Sequence, residues 1–181
     1  MRLATLAGVG VVVAAAWAAS RNAEVMVKVE EVAGEMVAAV KRVAGVYSPE
    51  SVPVEYRAEI AQAERAHDIP AGLLARLLWQ ESRYRPDVIS GKVASPAGAL
   101  GIAQFMPATA AALYVDPLNP ANAINGAALY LSRLYRQFGD WREALAAYNW
   151  GPGNVSKKGI AAAPAETRNY YTSIMSDVGL S

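Results

Sequence analysis

From Pro53 to Val178 no run of residues alternates convincingly between apolar and polar, and this constrains the fold more than any other feature of the chain. Proline and glycine instead cut it into stretches whose apolar residues recur at intervals of three and four. A helix over Val54 to His67 ends at "HDIP", and the next begins around Pro70, where a first-turn proline costs no hydrogen bond. It ends before Pro86. "QFMPATAAALY" predicts a short helix from Pro107. "LNPANAINGAALYLSRLYRQFG" predicts a longer one capped by Asn119, started by Pro120 and stopped by Gly139, with Ile124, Ala127, Leu131, Leu134 and Phe138 on its core stripe. Asp140 and Glu143 stand at capping-box spacing and open "DWREALAAYNW", which "GPG" closes. A last helix runs from about Ala165 to Val178. The expected class is all-α, with residues 54–181 forming one domain.

The N-terminal third reads differently. Leu3 to Ala19 is uncharged, bracketed by Arg2 and Arg21, and ends in small residues. Residues 1–20 therefore read as a transmembrane anchor or a signal peptide, with the continuing helix favouring an uncleaved anchor. Either reading puts the rest of the chain outside the cytoplasm. Residues 21–46 place Val25, Val29, Val32, Met36, Val40 and Val43 on one helical face, an amphipathic helix suited to pairing with a copy of itself, packing on the domain or lying on a membrane. "VYSPESVP" breaks that pattern and sets a linker at residues 47–53.

Composition narrows the chemistry. Seventeen Lys and Arg against sixteen Asp and Glu leave a net charge of +1, which argues against a nucleic-acid partner. With no cysteine and one histidine, His67, the chain lacks the ligands of a typical zinc site, so no metal site is expected.

Four short stretches can carry chemistry. In "LLARLLWQESRYRP", Leu74, Leu77 and Leu78 mark a helical face that Glu81 continues. Burial there would raise the carboxyl pKa and let Glu81 hold a proton near neutral pH, as a general acid must. The plain alternative is a surface pair between Glu81 and Arg85, four residues on. "SPAGALGIAQFMP" places Gln104 and Met106 beside small residues that allow close backbone approach, suiting an amide-bearing ligand; its alternative is a tight inter-helix connection. In "AAYNWGPGNV" Tyr148 faces inward from Ala144 and Asn149 sits at the helix end, as core and cap or as ligand contacts. "ETRNYY" sets charges and two tyrosines in one helical turn.

Their order resembles the motif series of the lytic transglycosylases with a soluble lytic transglycosylase catalytic domain, family 1, over roughly residues 56 to 178. The resemblance implies a compact lysozyme-like helical domain with a sugar-binding groove, acting on peptidoglycan glycan strands without cofactor. Carried over by position, Glu81 matches the catalytic acid/base and Ser82 the serine after it. Ser95 matches a serine that helps orient the carboxyl and substrate, with Ser90 as the alternate. Gln104 and Met106 match groove residues, Tyr148 and Asn149 the pair near the acetamido group, and Tyr170 the last motif's tyrosine. The chain departs from the family in a longer stretch between Glu81 and Ser95, in "GIAQ" for the common "GLMQ", and in Trp150 where a small residue usually follows the asparagine.

The resemblance also accounts for a single motif-borne carboxylate, since ordinary glycosidases need two. It implies cleavage of the N-acetylmuramic acid to N-acetylglucosamine bond with formation of a 1,6-anhydro sugar. A goose-type-like hydrolytic muramidase and a non-catalytic wall-binding or assembly protein are the alternatives. The expected location is the periplasmic face of the inner membrane, or export, or a virion.

Overall fold

The computed structural model describes residues 27–34, 36 and 47–180. The chain divides into two units, Met1–Ser48 and Pro49–Ser181. In the first, residues 27–34 are helical and Val27, Val32 and Met36 are exposed. The rest of the amphipathic stretch expected at 21–46, and the uncharged run at 3–19, lie outside the described residues. Among the described residues no helix is long and apolar enough to cross a membrane.

The second unit begins with a 3-10 turn, Pro49–Ser51. Pro49 to Pro53, part of the stretch expected as linker, fall in this unit: Val52 is buried, and Arg57 Nε donates to its carbonyl at 2.9 Å. Eight helices follow: α1 (Val54–Ala66), α2 (Leu73–Ser82), α3 (Pro86–Ile89), α4 (Pro107–Leu113), α5 (Pro120–Phe138), α6 (Trp141–Trp150), α7 (Pro152–Lys158) and α8 (Ala165–Asp177), with a second 3-10 turn at Ile160–Ala162. Among the described residues the only extended pairing is an antiparallel bridge between Leu100 and Phe105. The all-α expectation holds for this unit. Helices α3 and α7 are additions to the sequence reading, each started by a proline that fits the first turn.

Local chemistry explains most boundaries. Asn119 caps α5 by accepting from Asn122 N at 3.1 Å, and Gly139 ends it in the left-handed region at φ 76°. Asp140 Oδ1 accepts from Arg142 N and Glu143 N and opens α6. The start of α2 is the exception. It begins at Leu73 rather than Pro70, because a carboxylate from α1 caps it: Glu64 accepts from Gly72 N at 3.0 Å, Leu74 N at 3.0 Å and Ala75 N at 3.3 Å. These are amide groups that a helix cannot satisfy internally.

Helix α2 is the core of the unit. It packs against α1, α5 and α8, and Leu73, Leu74, Leu77 and Leu78 are fully buried together with Ile124, Leu131, Leu145 and Ile174. Each such side chain contributes roughly 1.5–3 kcal/mol by leaving water, so the helix position is strongly determined. The loop from residue 90 to 106 is held from outside by the α4–α5 connection. At Gly101, φ 75°, an added Cβ would stand 1.8 Å from the Pro117 carbonyl oxygen, so only glycine fits there.

Candidate active site

Glu81 occupies the last turn of the buried helix α2, where the core stripe reaches the surface. Its side chain is partly exposed, while the residues around it exclude most water. The helix stops abruptly because Arg83 and Tyr84 both adopt left-handed backbone, φ 53° and 52°. Ser82 Oγ donates to Leu78 O at 3.0 Å and accepts from Tyr84 N at 3.2 Å, and Tyr84 Oη donates to Ala75 O at 2.8 Å. That network pins the turn beneath the carboxyl.

Three tyrosines line this side of the domain. Tyr170 of α8 donates its hydroxyl to Glu81 Oε1 at 2.5 Å. Burial, and then the Glu81 charge, raise the Tyr148 phenol of α6 well above its ordinary value, and its hydroxyl donates to Ala103 O at 3.0 Å. Tyr130 of α5 stacks at a tilt against Tyr148, with ring centres 5.5 Å apart. Desolvation pushes the Glu81 pKa from 4.5 to about 7, and the Tyr170 hydrogen bond opposes that rise. Burial, and then the Glu81 charge, raise Tyr170 well above its ordinary value, so it remains a donor across the physiological range.

The surface pair weighed for Glu81 does not form. Arg85 turns to Asp87 instead, with contacts of 2.5 and 3.1 Å, because α3 begins at Pro86 and carries Asp87 beside it. Glu81 keeps a neutral phenol as its partner.

The other sequence candidates divide into two groups. Gln104 sits at φ 49° on the loop whose Ala103 carbonyl binds Tyr148, and its Nε2 donates to Gly101 O at 2.9 Å. Met106 follows, 43% exposed at the start of α4. Asn149 is exposed at the end of α6, and its Oδ1 accepts from Thr167 Oγ1 at 2.7 Å. Ser82, in contrast, is 2% exposed with its hydroxyl turned to the core; it lies four residues after Leu78 and so shares the apolar face. Its two hydrogen bonds support the turn. Ser95 closes its own loop, its Oγ accepting from Ala99 N at 2.9 Å, and Ser90 Oγ donates to Asp87 O at 3.3 Å.

Two residues in this arrangement escaped the sequence reading. Glu64 caps the helix that carries Glu81, and Thr167 holds Asn149. Thr167 left one usable signal: it stands three residues before Tyr170, on the same face of α8.

Residues 58–171 match the model of the transglycosylase SLT domain. The chain belongs to that family. It is 35% identical over 142 residues to the peptidoglycan transglycosylase gp16 of Escherichia phage T7, covering 69% of this chain and 10% of that protein. Against the soluble lytic murein transglycosylase of Salmonella typhimurium it is 37% identical over 118 residues, covering 59% of this chain and 18% of the relative. The crystal structure of the 70 kDa soluble lytic transglycosylase of Escherichia coli superposes with a TM-score of 0.61 at 27% identity, over 86% of this chain and 27% of that one. A complex of the 70 kDa enzyme with bulgecin A matches at a TM-score of 0.60 and 28% identity. The chain thus spans between a tenth and about a fifth of the length of these two curated relatives.

Proposed function

We propose that this domain is a peptidoglycan lytic transglycosylase with Glu81 as its general acid and then its base. The observation that carries the reading is the Glu81 carboxyl itself. It is desolvated at the end of the core helix, bonded by Tyr170 and raised to about 7, so it can both hold and release a proton near neutrality. Family membership and the names of the relatives supply the substrate class.

The reaction needs one carboxyl. Glu81 gives its proton to the oxygen linking N-acetylmuramic acid to N-acetylglucosamine, and the bond from C1 to that oxygen breaks while the substrate's 2-acetamido oxygen stabilises the electron-poor C1. The ionised Glu81 then takes the proton of the C6 hydroxyl as O6 bonds to C1. The 1,6-anhydro product forms, Glu81 is protonated again, and no water is consumed. Three other acids of the domain are committed: Glu64 caps α2, Asp87 pairs with Arg85 and Asp140 caps α6. Gln104, Met106, Tyr148 and Asn149 form the side of the groove that receives the sugar.

Residues 3–19, as an uncleaved span, would hold the domain at the periplasmic face of a membrane, and the helix within 21–46 would be free to self-associate. The test of activity is release of soluble fragments from purified sacculi, with anhydro ends determined by mass spectrometry. Glu81→Gln is expected to abolish release. Fragments with reducing ends alone would replace this reading with hydrolysis, and undiminished release by the variant would remove Glu81 from its role.

A further inference from the structure

Helix α8 turns one face to the interior. Thr167, Tyr170, Ile174 and Asp177 follow one another at intervals of three, four and three, so they form a single stripe. Asp177 Oδ2 accepts from Arg76 Nε at 2.7 Å, Ile174 is fully buried, and Tyr170 reaches Glu81. Those contacts seat α8 firmly against α2. The first member of the stripe, Thr167, is 2% exposed and directs its hydroxyl to Asn149 Oδ1 at 2.7 Å.

The direction of that bond matters because a carboxamide has one accepting end and one donating end. A helical threonine often turns its hydroxyl back to the carbonyl four residues earlier. Here that carbonyl, Ala163 O, accepts from Arg168 Nη1, and the Thr167 proton goes to Asn149 instead. With Oδ1 engaged by α8, the N–H groups of Nδ2 are the donors that the exposed Asn149 has left to offer at the α6 terminus. Without the threonine proton the amide could present either end.

We propose that Thr167 is a positioning residue. It locks the Asn149 carboxamide so that Asn149 meets the substrate as a hydrogen-bond donor, to an acceptor oxygen of the glycan such as an acetamido carbonyl. This rests on the reading of the site as glycan-cleaving. It adds that the polarity of Asn149 is set by a buried hydroxyl that never touches the sugar.

The experiment is a double-mutant cycle on purified sacculi with Thr167→Val, which keeps the shape and loses the proton, and Asn149→Ala. Thr167→Val is expected to lower kcat about fivefold to tenfold, the loss of roughly one hydrogen bond. Thr167→Ser should restore most of the rate, and Thr167→Val should add nothing once Asn149 is Ala. Equal losses in both backgrounds would show a general structural effect and overturn the proposal. A second readout does not depend on turnover: the Asn149 side-chain amide signal, assigned by its absence in Asn149→Ala, should shift in Thr167→Val and hold its place in Thr167→Ser. A signal that stays put in Thr167→Val also overturns the proposal. Sacculi left intact by the unaltered protein would defeat the transglycosylase reading alone, and the amide signal would still decide the contact.

Discussion

A buried or half-buried carboxyl stands at each end of helix α2, Glu64 from α1 at its start and the helix's own Glu81 at its close, and the two ends handle it in opposite ways. At the N-terminus Glu64 accepts three backbone N–H groups, at the end where the helix dipole is positive. At the C-terminus Glu81 accepts one phenol, at the end where the dipole is negative and favours the neutral form. Burial raises both carboxyls. At Glu64 three backbone hydrogen bonds and the charge of Arg65 oppose the rise, whereas at Glu81 only Tyr170 does, and it reaches about 7. Desolvation alone therefore does not make a carboxyl reactive. What separates a cap from an acid is how many donors the surrounding fold supplies to the charged form.

The largest expected effect comes from removing the acid. Glu81→Gln should slow release of anhydro fragments by about 10³-fold or more, the upper range for losing a general acid. Glu64→Gln should leave the chemistry in place but cost about 2 kcal/mol of stability near pH 7, because one end of the amide then turns N–H donors toward an N–H group of α2 while only its oxygen can still accept. Urea denaturation of both variants sharpens the contrast, since Glu81→Gln should be more stable than the unaltered chain at about pH 8. The sign follows from the raised pKa. Ionising Glu81 is harder in the folded than in the unfolded state, so its penalty grows as pH rises from 4.5 to about 7 and is full above that. The gain from Glu81→Gln should fade as pH falls through the same window. Loss of stability at both positions, at every pH, would erase the distinction between the two ends.

Tyr170→Phe tests the single donor at Glu81. It removes the contact that lowers the carboxyl pKa, so the alkaline limb of the pH–rate profile, set near 7 by Glu81, should move upward. The rate at its optimum should fall about tenfold as the ionised form loses its partner. A limb that moves downward would mean that Tyr170 does not stabilise the carboxylate.

Much of the helical framework is local, and so was legible. Asn119, Asp140 and Gly139 act on neighbouring backbone, and their helices begin and end where the sequence places them. The position of Glu81 on the apolar stripe of α2 is likewise a consequence of helical geometry. Its partner is not: Arg85 is available by spacing, yet prefers Asp87 once α3 forms, and the phenol that reaches Glu81 comes from a helix 89 residues away in sequence. The burial of Ser82 follows from its helical register with Leu78, four residues earlier. Glu64 and Thr167 are ordinary polar residues in amphipathic helices until α1 meets the start of α2 and α8 meets the end of α6.

By itself, then, the sequence determined that this unit would be all-α, where many of its helices stop, and that one carboxyl would stand at the edge of the core, because helical periodicity and capping depend on residues a few positions apart. Only the tertiary structure decided which carboxyl is satisfied and which is held ready, since that depends on donors that distant helices bring within hydrogen-bonding distance.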